Sequence, residues 1–581
     1  MMDDAIDPAT LEVMRNALQS IAEEMGAALV RTAFSTNIKD RMDCSTAVYT
    51  REGKLVSQAE HMPLHLGLMP SVVQAVLQAY PPDRLEPGDV VIINDPYISG
   101  SHLPDICIIS PVYWEGELVA LLANLAHHVD VGGMTPGSMP VGAVEIFQEG
   151  LRIPPTKLCK RRKLDEELLQ LILANVRTPD ETRGDLQAQL AANNVGERRL
   201  HELMKKHGQA MVFKYMQAIL DYSERRMRAM IAQLPPGHYT FTDYLESDGI
   251  VDEPIPIRVA IAVESNDIKV DFSGTSAATR GPVNCTRPVT LACVYYAIKS
   301  VVDPGLPSNE GAYRPIHVVT PPGSVVNPDF PAAVCQANIN TAQRIVDAVL
   351  GALAHAVPDR VTAASSGSMN LFTIGGIDPG RGCYYSYVET CGGGQGAMHN
   401  QDGMDGVHTN MTNTRNTPVE VIEATYPLRV ERYALVPDSG GPGRWRGGLG
   451  IVREITIVDH QARATISTER RRRRPWGLSD GKPGGASASF YETANGQVRA
   501  LPTMTSMDVE SDSALTLVSP GGGGMGCPLG RDVELVKRDV IAGFVSVEGA
   551  ERDYGVVLDP ESGEVDEART AALREQLACC L

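Results

Sequence analysis

The chain has 581 residues, too many for one ordinary core, and a prior of one domain per roughly 150 residues sets an expectation of two to four domains. Its 43% hydrophobic and 21% charged content is globular, and no apolar run approaches the roughly 20 residues that cross a bilayer, so no membrane association is expected. The 52 basic residues against 71 acidic leave a net charge of -19, which disfavours nucleic acid as a partner, and the opening "MMDDAIDPAT" lacks the basic and apolar segments of a secretory signal, so a cytoplasmic location is expected.

From Asp7 to about Phe34 the apolar positions Leu11, Met14, Leu18, Ile21, Met25 and Leu29 recur at three- and four-residue steps, which predicts one helix face. Asp7 before Pro8 is a suitable N-cap, since its carboxylate can accept an orphan amide while proline tolerates the first turn. Strand-like "CSTAVYT" and "VVIIN" follow, then the apolar run "LVALLANLAHH", so residues 1–164 read as a mixed α/β region. Residues 165–234 read as a helical segment, interrupted at "RTPDETRGD" and "KKHGQ" and suited to packing and association. After "LPPGHY", residues 235–420 read as a mixed α/β middle domain with strands in "IRVAIAVE" and "IKVDFSG". Residues 421–581 read as a β-rich C-terminal domain, with strands in "VREITIVD", "ASASFYE" and "ALTLVSP". The fold class is therefore α+β multidomain: an N-terminal mixed α/β region with long helices, followed by β-rich middle and C-terminal parts.

The eleven cysteines are scattered with no CxxC pair, which points to reduced, mostly buried thiols, and Cys579 and Cys580 at the chain end carry no assigned role. "ERRRRRPWG" carries five consecutive arginines, Arg470 to Arg474, expected to be salt-bridged or interfacial in so acidic a chain. The glycine-rich "SPGGGGMGCPLGRD" lacks the lysine and hydroxyl residue of a Walker loop and is flanked by prolines, so it reads as a structural turn rather than a phosphate cradle.

Metal chemistry has a better basis. In "NDPYISGSHLPD" His102 and Asp105 stand three residues apart, so both can reach one ion from a single turn. "NLAHHVDVGG" places His127 and His128 at the end of an apolar run, and "KDRMDCS" offers Asp40 and Asp43 beside a short strand. Three strand-end turns bearing carboxylates and imidazoles can build an open site for zinc, manganese or iron, in which a bound water or a carbonyl is activated. Ordinary satisfied histidines are the alternative.

The strings "IKDRMDCSTAV", "HMPLHLGLMP", "NDPYISGSHLPD", "AHHVDVGGMTPGSM", "FQEGLRIPPTKL", "DFSGTS", "GGGGMGCPLGRD" and "YGVVL" occur in an order that resembles the hydantoinase B/oxoprolinase family from about residue 7 to about residue 560. The resemblance implies one subunit of an ATP-dependent hetero-oligomer: a hydrolase of hydantoins, lactams or 5-oxoproline, or alternatively a ketone carboxylase. A non-catalytic assembly subunit with a structural metal is a third reading. The resemblance also implies that ATP is bound by a hydantoinase A-type partner, and that one divalent metal, zinc first with manganese or iron as alternatives, is held by Asp43, His102, Asp105 and His127. Asp130 is then expected to support an imidazole from the outer shell, and Glu149 to act as a proton acceptor with Arg152 as an anion clamp. His128 is not expected to be a ligand. Asn94 and Asp95 are expected to form the turn and to act as outer-shell groups, and His65 either faces the pocket or fills a loop. "CGGGQGAMHNQDG" and "HTNMTNTRNTPVE" offer groups suited to a polar substrate, without a ranking among them.

Overall fold

The computed structural model describes residues 6–59, 61–559 and 562–578, apart from the side chains of Leu66 and Ser99; Cys579 and Cys580 lie outside this set. Helix α1 (Pro8–Thr32) starts where its cap predicts, with the Asp7 carboxylate accepting the Thr10 amide at 2.9 Å. After the single turn α2 (Thr36–Lys39), strands β1 (Cys44–Thr50) and β2 (Leu55–Gln58) lead to α3 (Pro63–Ala79). Strand β3 (Val90–Ile93), the short α4 (Pro96–Ser99), β4 (Asp105–Trp114), β5 (Glu117–His127), β6 (Thr156–Lys160) and β7 (Lys163–Leu164) complete a seven-stranded sheet of order β2-β1-β5-β4-β3-β6-β7.

Both faces of this sheet are covered, which is why β5 reads as one unbroken apolar run rather than an alternation. Along β1 and β5, Ala47, Tyr49, Leu121, Ala123 and Leu125 join the core that contains the apolar face of α3. Their strand neighbours Cys44, Val48, Ala120, Leu122 and Ala126 join the core under α1 and the long helices. Those helices are α5 (Glu166–Leu173), α6 (Pro179–His207) and α7 (Gln209–Ile231), separated at the two predicted breaks; Gly208 at φ 81 makes the second.

Strands β8 (Gly237–Leu245), β9 (Ile255–Glu264), β10 (Asp267–Asp271) and β11 (Ile316–Val319) form a second sheet. Helix α8 (Arg287–Val302) and the helix Ala342–Ala354 share one hydrophobic core with α3 and with this sheet. Strands Leu371–Ile377 and Tyr384–Thr390 pair in one sheet with Ala462–Ser467 and Met504–Val509. That sheet crosses residue 420, where composition changes, because antiparallel pairing joins strands whatever the chain length between them. A five-stranded sheet closes the C-terminal part, followed by helices Val533–Ile541, Val547–Tyr554 and Glu567–Ala578.

The arginine run and the glycine clusters are both structural. Arg470 is 1% exposed and meets Asp243 at 2.9 Å and Asp347 at 2.5 Å, while the neighbouring Glu469 pairs with Arg344 at 3.2 Å. Arg473 stacks on Tyr244 and Arg472 pairs with Asp252. Glycines 521–524 run between other backbones: Gly522 donates to the Gly448 carbonyl, Gly523 to that of Ala364 and Gly524 to that of Lys482. A Cβ on Gly522 would sit 2.0 Å from the Gln395 carbonyl oxygen, so glycine is needed here for close backbone approach rather than for a phosphate. All nine cysteines among the described residues are unpaired. No helix among the described residues is long and apolar enough to cross a membrane.

Candidate metal centre

Three neighbouring strands end together. In the β4–β5 ladder Asp105 lies opposite His127, and in the β1–β5 ladder Cys44 lies opposite Ala126, so Asp43 arrives beside His127, whose amide donates to the Asp43 carbonyl at 3.0 Å. Strand side chains alternate between faces. His127 therefore continues the series Leu121, Ala123, Leu125 toward α3, whereas His128 turns to the other face, where Nε2 meets Gln189 Oε1 at 3.0 Å. His65, in the first turn of α3, faces the same pocket as His127: its Nε2 is 3.8 Å from Asp105 Oδ1, and Nδ1 meets Ser45 Oγ at 3.1 Å.

His102 reaches the cluster from the loop before β4. The Asp105 amide donates to the His102 carbonyl at 3.1 Å, closing the turn that the three-residue spacing requires. Ligand-type atoms of His102, Asp105 and His127 all lie within 4.8 Å of one another, and all three residues are buried. Asp43 lines the same small cavity of about 30 Å³, together with Arg41 and the apolar walls Met62, Leu64, Met139 and Ile339.

Among the described residues lining this pocket, four buried atoms have no hydrogen-bond partner: Asp43 Oδ1, Asp105 Oδ1, Asn338 Oδ1 and His102 Nε2. The last lies 3.3 Å from Asp105 Oδ2 without hydrogen-bond alignment. Unsatisfied buried donors and acceptors of this kind are costly, and two imidazoles with two carboxylates are a donor set that a divalent cation satisfies. The residues present therefore fit such an ion.

Burial acts to lower His102, but the Asp105 carboxylate outweighs it and raises that imidazole. Burial pushes the Asp43 carboxyl up to about 7, against the pull of Arg41. Burial also acts to raise Asp105, but the His102, His65 and His127 imidazoles outweigh it and hold that carboxyl well below the usual range. Burial lowers His65 to about 4 and His127 to about 3, so both rings are neutral at pH 7.

The surrounding shell comes from distant segments. Ser101 Oγ donates to Asp105 Oδ2, and Asn338 Nδ2, in a π-helical turn at Ala337–Thr341, donates to Ser101 Oγ at 3.0 Å. The Cys335 carbonyl lies 3.3 Å from His102 Nδ1, which keeps a proton on that nitrogen and leaves Nε2 for the cavity. Arg41 donates to Asn37 Oδ1, and this turns the Asn37 amide nitrogen toward His127, 2.9 Å from Nδ1 and 2.8 Å from the carbonyl oxygen. Nδ1 of His127 is an acceptor in this arrangement, so placing a cation on Nε2 moves the ring proton to Nδ1 and requires the Asn37 amide to turn over.

Two expected roles are not met. Asp130 does not touch an imidazole; its carboxylate accepts the Gly132 amide at 2.8 Å and the Gly137 amide at 3.1 Å and pairs with Arg177, because the glycine turn after His127 leaves amides that need acceptors. Glu149 is not among the residues lining the pocket. It is fully buried, with Oε1 accepting the Val334 and Cys335 amides at 2.6 and 2.9 Å, and burial raises its carboxyl to about 7. Arg152 lies at the surface, 3.5 Å from Asp95 and stacked on Phe330.

Asn94 and Asp95 form the turn as expected: Asn94 Nδ2 bonds the Leu103 and Leu151 carbonyls, and Asp95 caps α4. Asp40 closes α2 and is not part of the cluster. Sequence reasoning missed Asn37, Arg41 and Asn338. Asn37 and Arg41 carry a readable signal, a four-residue helical spacing beside Asp43; Asn338 carries none.

Comparison with known proteins places these features in context. The model of the hydantoinase B/oxoprolinase family matches residues 7–528. The chain is 42% identical over 573 residues to an uncharacterized protein of Methanocaldococcus jannaschii, covering 98% of this chain and 100% of that one. It is 34% identical over 587 aligned positions to the putative B-type subunit of a D-/L-hydantoinase of Pseudomonas sp. (strain NS671), covering 98% of each. Its fold matches the crystal structure of the ATP-dependent caprolactamase from Pseudomonas jessenii with a TM-score of 0.92 at 30% identity, over 98% of this chain and 100% of that one.

Proposed function

The chain belongs to the hydantoinase B/oxoprolinase family, and from that membership we propose that it is the metal-bearing subunit of an ATP-dependent hydrolase acting on a small cyclic amide, of hydantoin, lactam or 5-oxoproline type. The observation that carries the reading is the buried cluster of His102, Asp105 and His127 beside the unpartnered Asp43 Oδ1. Unstrained amides are poor electrophiles, and this chain has no Walker string. An A-type partner subunit would therefore use ATP to phosphorylate the amide oxygen, so that water adds to the activated carbon, the tetrahedral adduct expels the protonated ring nitrogen, and the acyl phosphate left is hydrolysed by a second water to carboxylate and phosphate.

Asp43, His102, Asp105 and His127 would hold one divalent ion, zinc first and manganese or iron otherwise; when bound, such an ion acidifies water and stabilises developing negative charge. The other residues prepare the pocket. Ser101 fixes Asp105, the Cys335 carbonyl fixes the His102 ring, and the buried Arg41 guanidinium adds a fixed positive charge to the wall. Met62, Leu64, Met139 and Ile339 keep bulk water out of a space of about 30 Å³, so little more than the reacting group is admitted.

The test is to co-purify the partner with His102→Ala, Asp105→Ala and His128→Ala forms. The first two are expected to lose bound metal and amide hydrolysis while the partner still binds ATP, and His128→Ala to keep its metal. Undiminished metal content and turnover in His102→Ala would sink the assignment. Label from bicarbonate retained in the product would instead point to ketone carboxylation.

A further inference from the structure

The metal pocket is too small for a substrate ring. Its space of about 30 Å³ holds a water, which needs roughly 10–15 Å³, but not a ring with its substituents. A second cavity, of about 260 Å³, shares Thr412 with it as a wall. Ligand pockets typically begin at about 300 Å³, so this one suits a small molecule. The wall between the two is the string "HTNMTN" at 408–413 set against "HMPL" at 61–64: the Leu64 amide donates to the Met411 carbonyl at 3.3 Å, and the Asn413 amide faces Met62 Sδ at 3.4 Å.

Bonds already made inside the wall decide what this second cavity offers. Asn410 Nδ2 faces Asp347 Oδ1 at 3.4 Å and Asn413 Nδ2 donates to the His61 carbonyl at 3.0 Å, so each keeps its Oδ1 as an acceptor. Gln395 Oε1 accepts the Met404 amide at 3.3 Å and Ser365 Oγ accepts the Gly396 amide at 3.2 Å, so Gln395 Nε2 and the Ser365 hydroxyl remain as donors. His408 Nε2, in the same wall, is buried without a hydrogen-bond partner, and burial lowers that ring to about 3, so it is neutral at pH 7. Among the described residues lining the cavity none is Asp or Glu, and the one charged side chain is Arg360, exposed at the rim. Neutral carboxamides and a neutral imidazole match an uncharged group that both donates and accepts, as a secondary amide does.

We propose that this cavity binds the ring of a neutral cyclic amide, with Gln395, Asn410, Asn413 and His408 pairing its N–H and C=O groups and with Thr412 between the ring and the metal pocket. The choice of a ring rests on the proposed function; the preference for an uncharged secondary amide does not. Pro63, Tyr296 and Val361 supply apolar wall for the methylenes of such a ring.

2-Pyrrolidinone and cyclopentanone, which lacks the ring N–H, are titrated by ligand-observed NMR into the full chain and into its Gln395→Met, His408→Phe, Thr362→Phe and His102→Ala variants. No ATP or partner is present, so binding is read apart from turnover. All three cavity positions are partly exposed, and thermal melts verify folding. The amide is expected to bind, and the ketone to bind about tenfold more weakly, as loss of one hydrogen bond does. Gln395→Met and His408→Phe are each expected to weaken the amide by a similar factor, and Thr362→Phe, which fills the cavity, to abolish its binding. His102→Ala is expected to bind the amide as tightly as the wild type even though its metal is lost, so failure of the metal assignment and failure of this one are distinguishable. The proposal is overturned if 2-pyrrolidinone does not bind, if cyclopentanone binds equally well, if all three cavity variants bind normally, or if His102→Ala abolishes binding and so places the ring on the metal centre.

Discussion

Glu149 has its role set by what it accepts. With Oε1 on the Val334 and Cys335 amides it holds the chain on the N-terminal side of Cys335, the residue whose carbonyl meets His102 Nδ1. Glu149→Ala strands two buried amides and frees that carbonyl, and if the cluster holds the proposed ion, its affinity is expected to fall about 10- to 100-fold. Glu149→Gln keeps a carbonyl oxygen and is expected to retain most of the affinity. Competition with a chelating dye measures both; equal affinities in Glu149→Ala and wild type would show that the peptide needs no such support. His127 and His128 make a similar point. They are adjacent in sequence, but strand alternation sends one to the α3 face and the other to Gln189 on α6.

Elements here are held by two kinds of packing. The central strands of the N-terminal sheet lie between two apolar layers, one that includes α3 and one that includes α1 with the long helices. The C-terminal glycine segments instead pack backbone on backbone, with amides of one strip donating to carbonyls of the next. A Cβ on Gly394 would lie 1.9 Å from the Gly448 oxygen and 2.2 Å from the Gly522 nitrogen, so there is no side-chain end that could yield. Gly394→Ala is expected to cost about 1–3 kcal/mol or more. Gly142→Ala, with nothing within 4 Å of the added carbon, is expected to change stability by a few tenths of a kcal/mol. Urea midpoints distinguish the two, and equal midpoints would show that the glycine strips spread apart freely.

Across the whole molecule, a buried ion network joins segments far apart in sequence: Asp243 on β8, Arg344 and Asp347 on the helix Ala342–Ala354, and Glu469 with Arg470 after the strand Ala462–Ser467. Arg470→Ala leaves Asp243 and Asp347 to share Arg344 in the interior, and breaking such a pair from one side costs about 3–5 kcal/mol. Arg474, exposed and donating to the Gly484 and Pro483 carbonyls, is expected to cost no more than about 1 kcal/mol on substitution by Ala. Chemical denaturation of the two variants measures the difference. A similar small loss in both would mean that the five arginines are not a structural run.

Much of this could be read from residue order alone. Period and capping located α1, the two helix breaks and the main strands, because amphipathic spacing and N-cap chemistry are local. The His102 and Asp105 pair was visible for the same reason: a three-residue turn brings them together whatever surrounds it. The folded chain decided the rest. His65 turned out to face the pocket because α3 packs on the β1–β5 face, a choice no local pattern encodes when both faces of a sheet are apolar. Asn338 and the Cys335 carbonyl come from more than 200 residues downstream, so only the tertiary fold brings the segment before the helix Ala342–Ala354 to Asp105 and His102. Glu149 and Asp130 looked like chemistry in a motif and proved to be acceptors for stranded amides, because hydrogen-bond satisfaction in the interior depends on which backbone groups end up nearby.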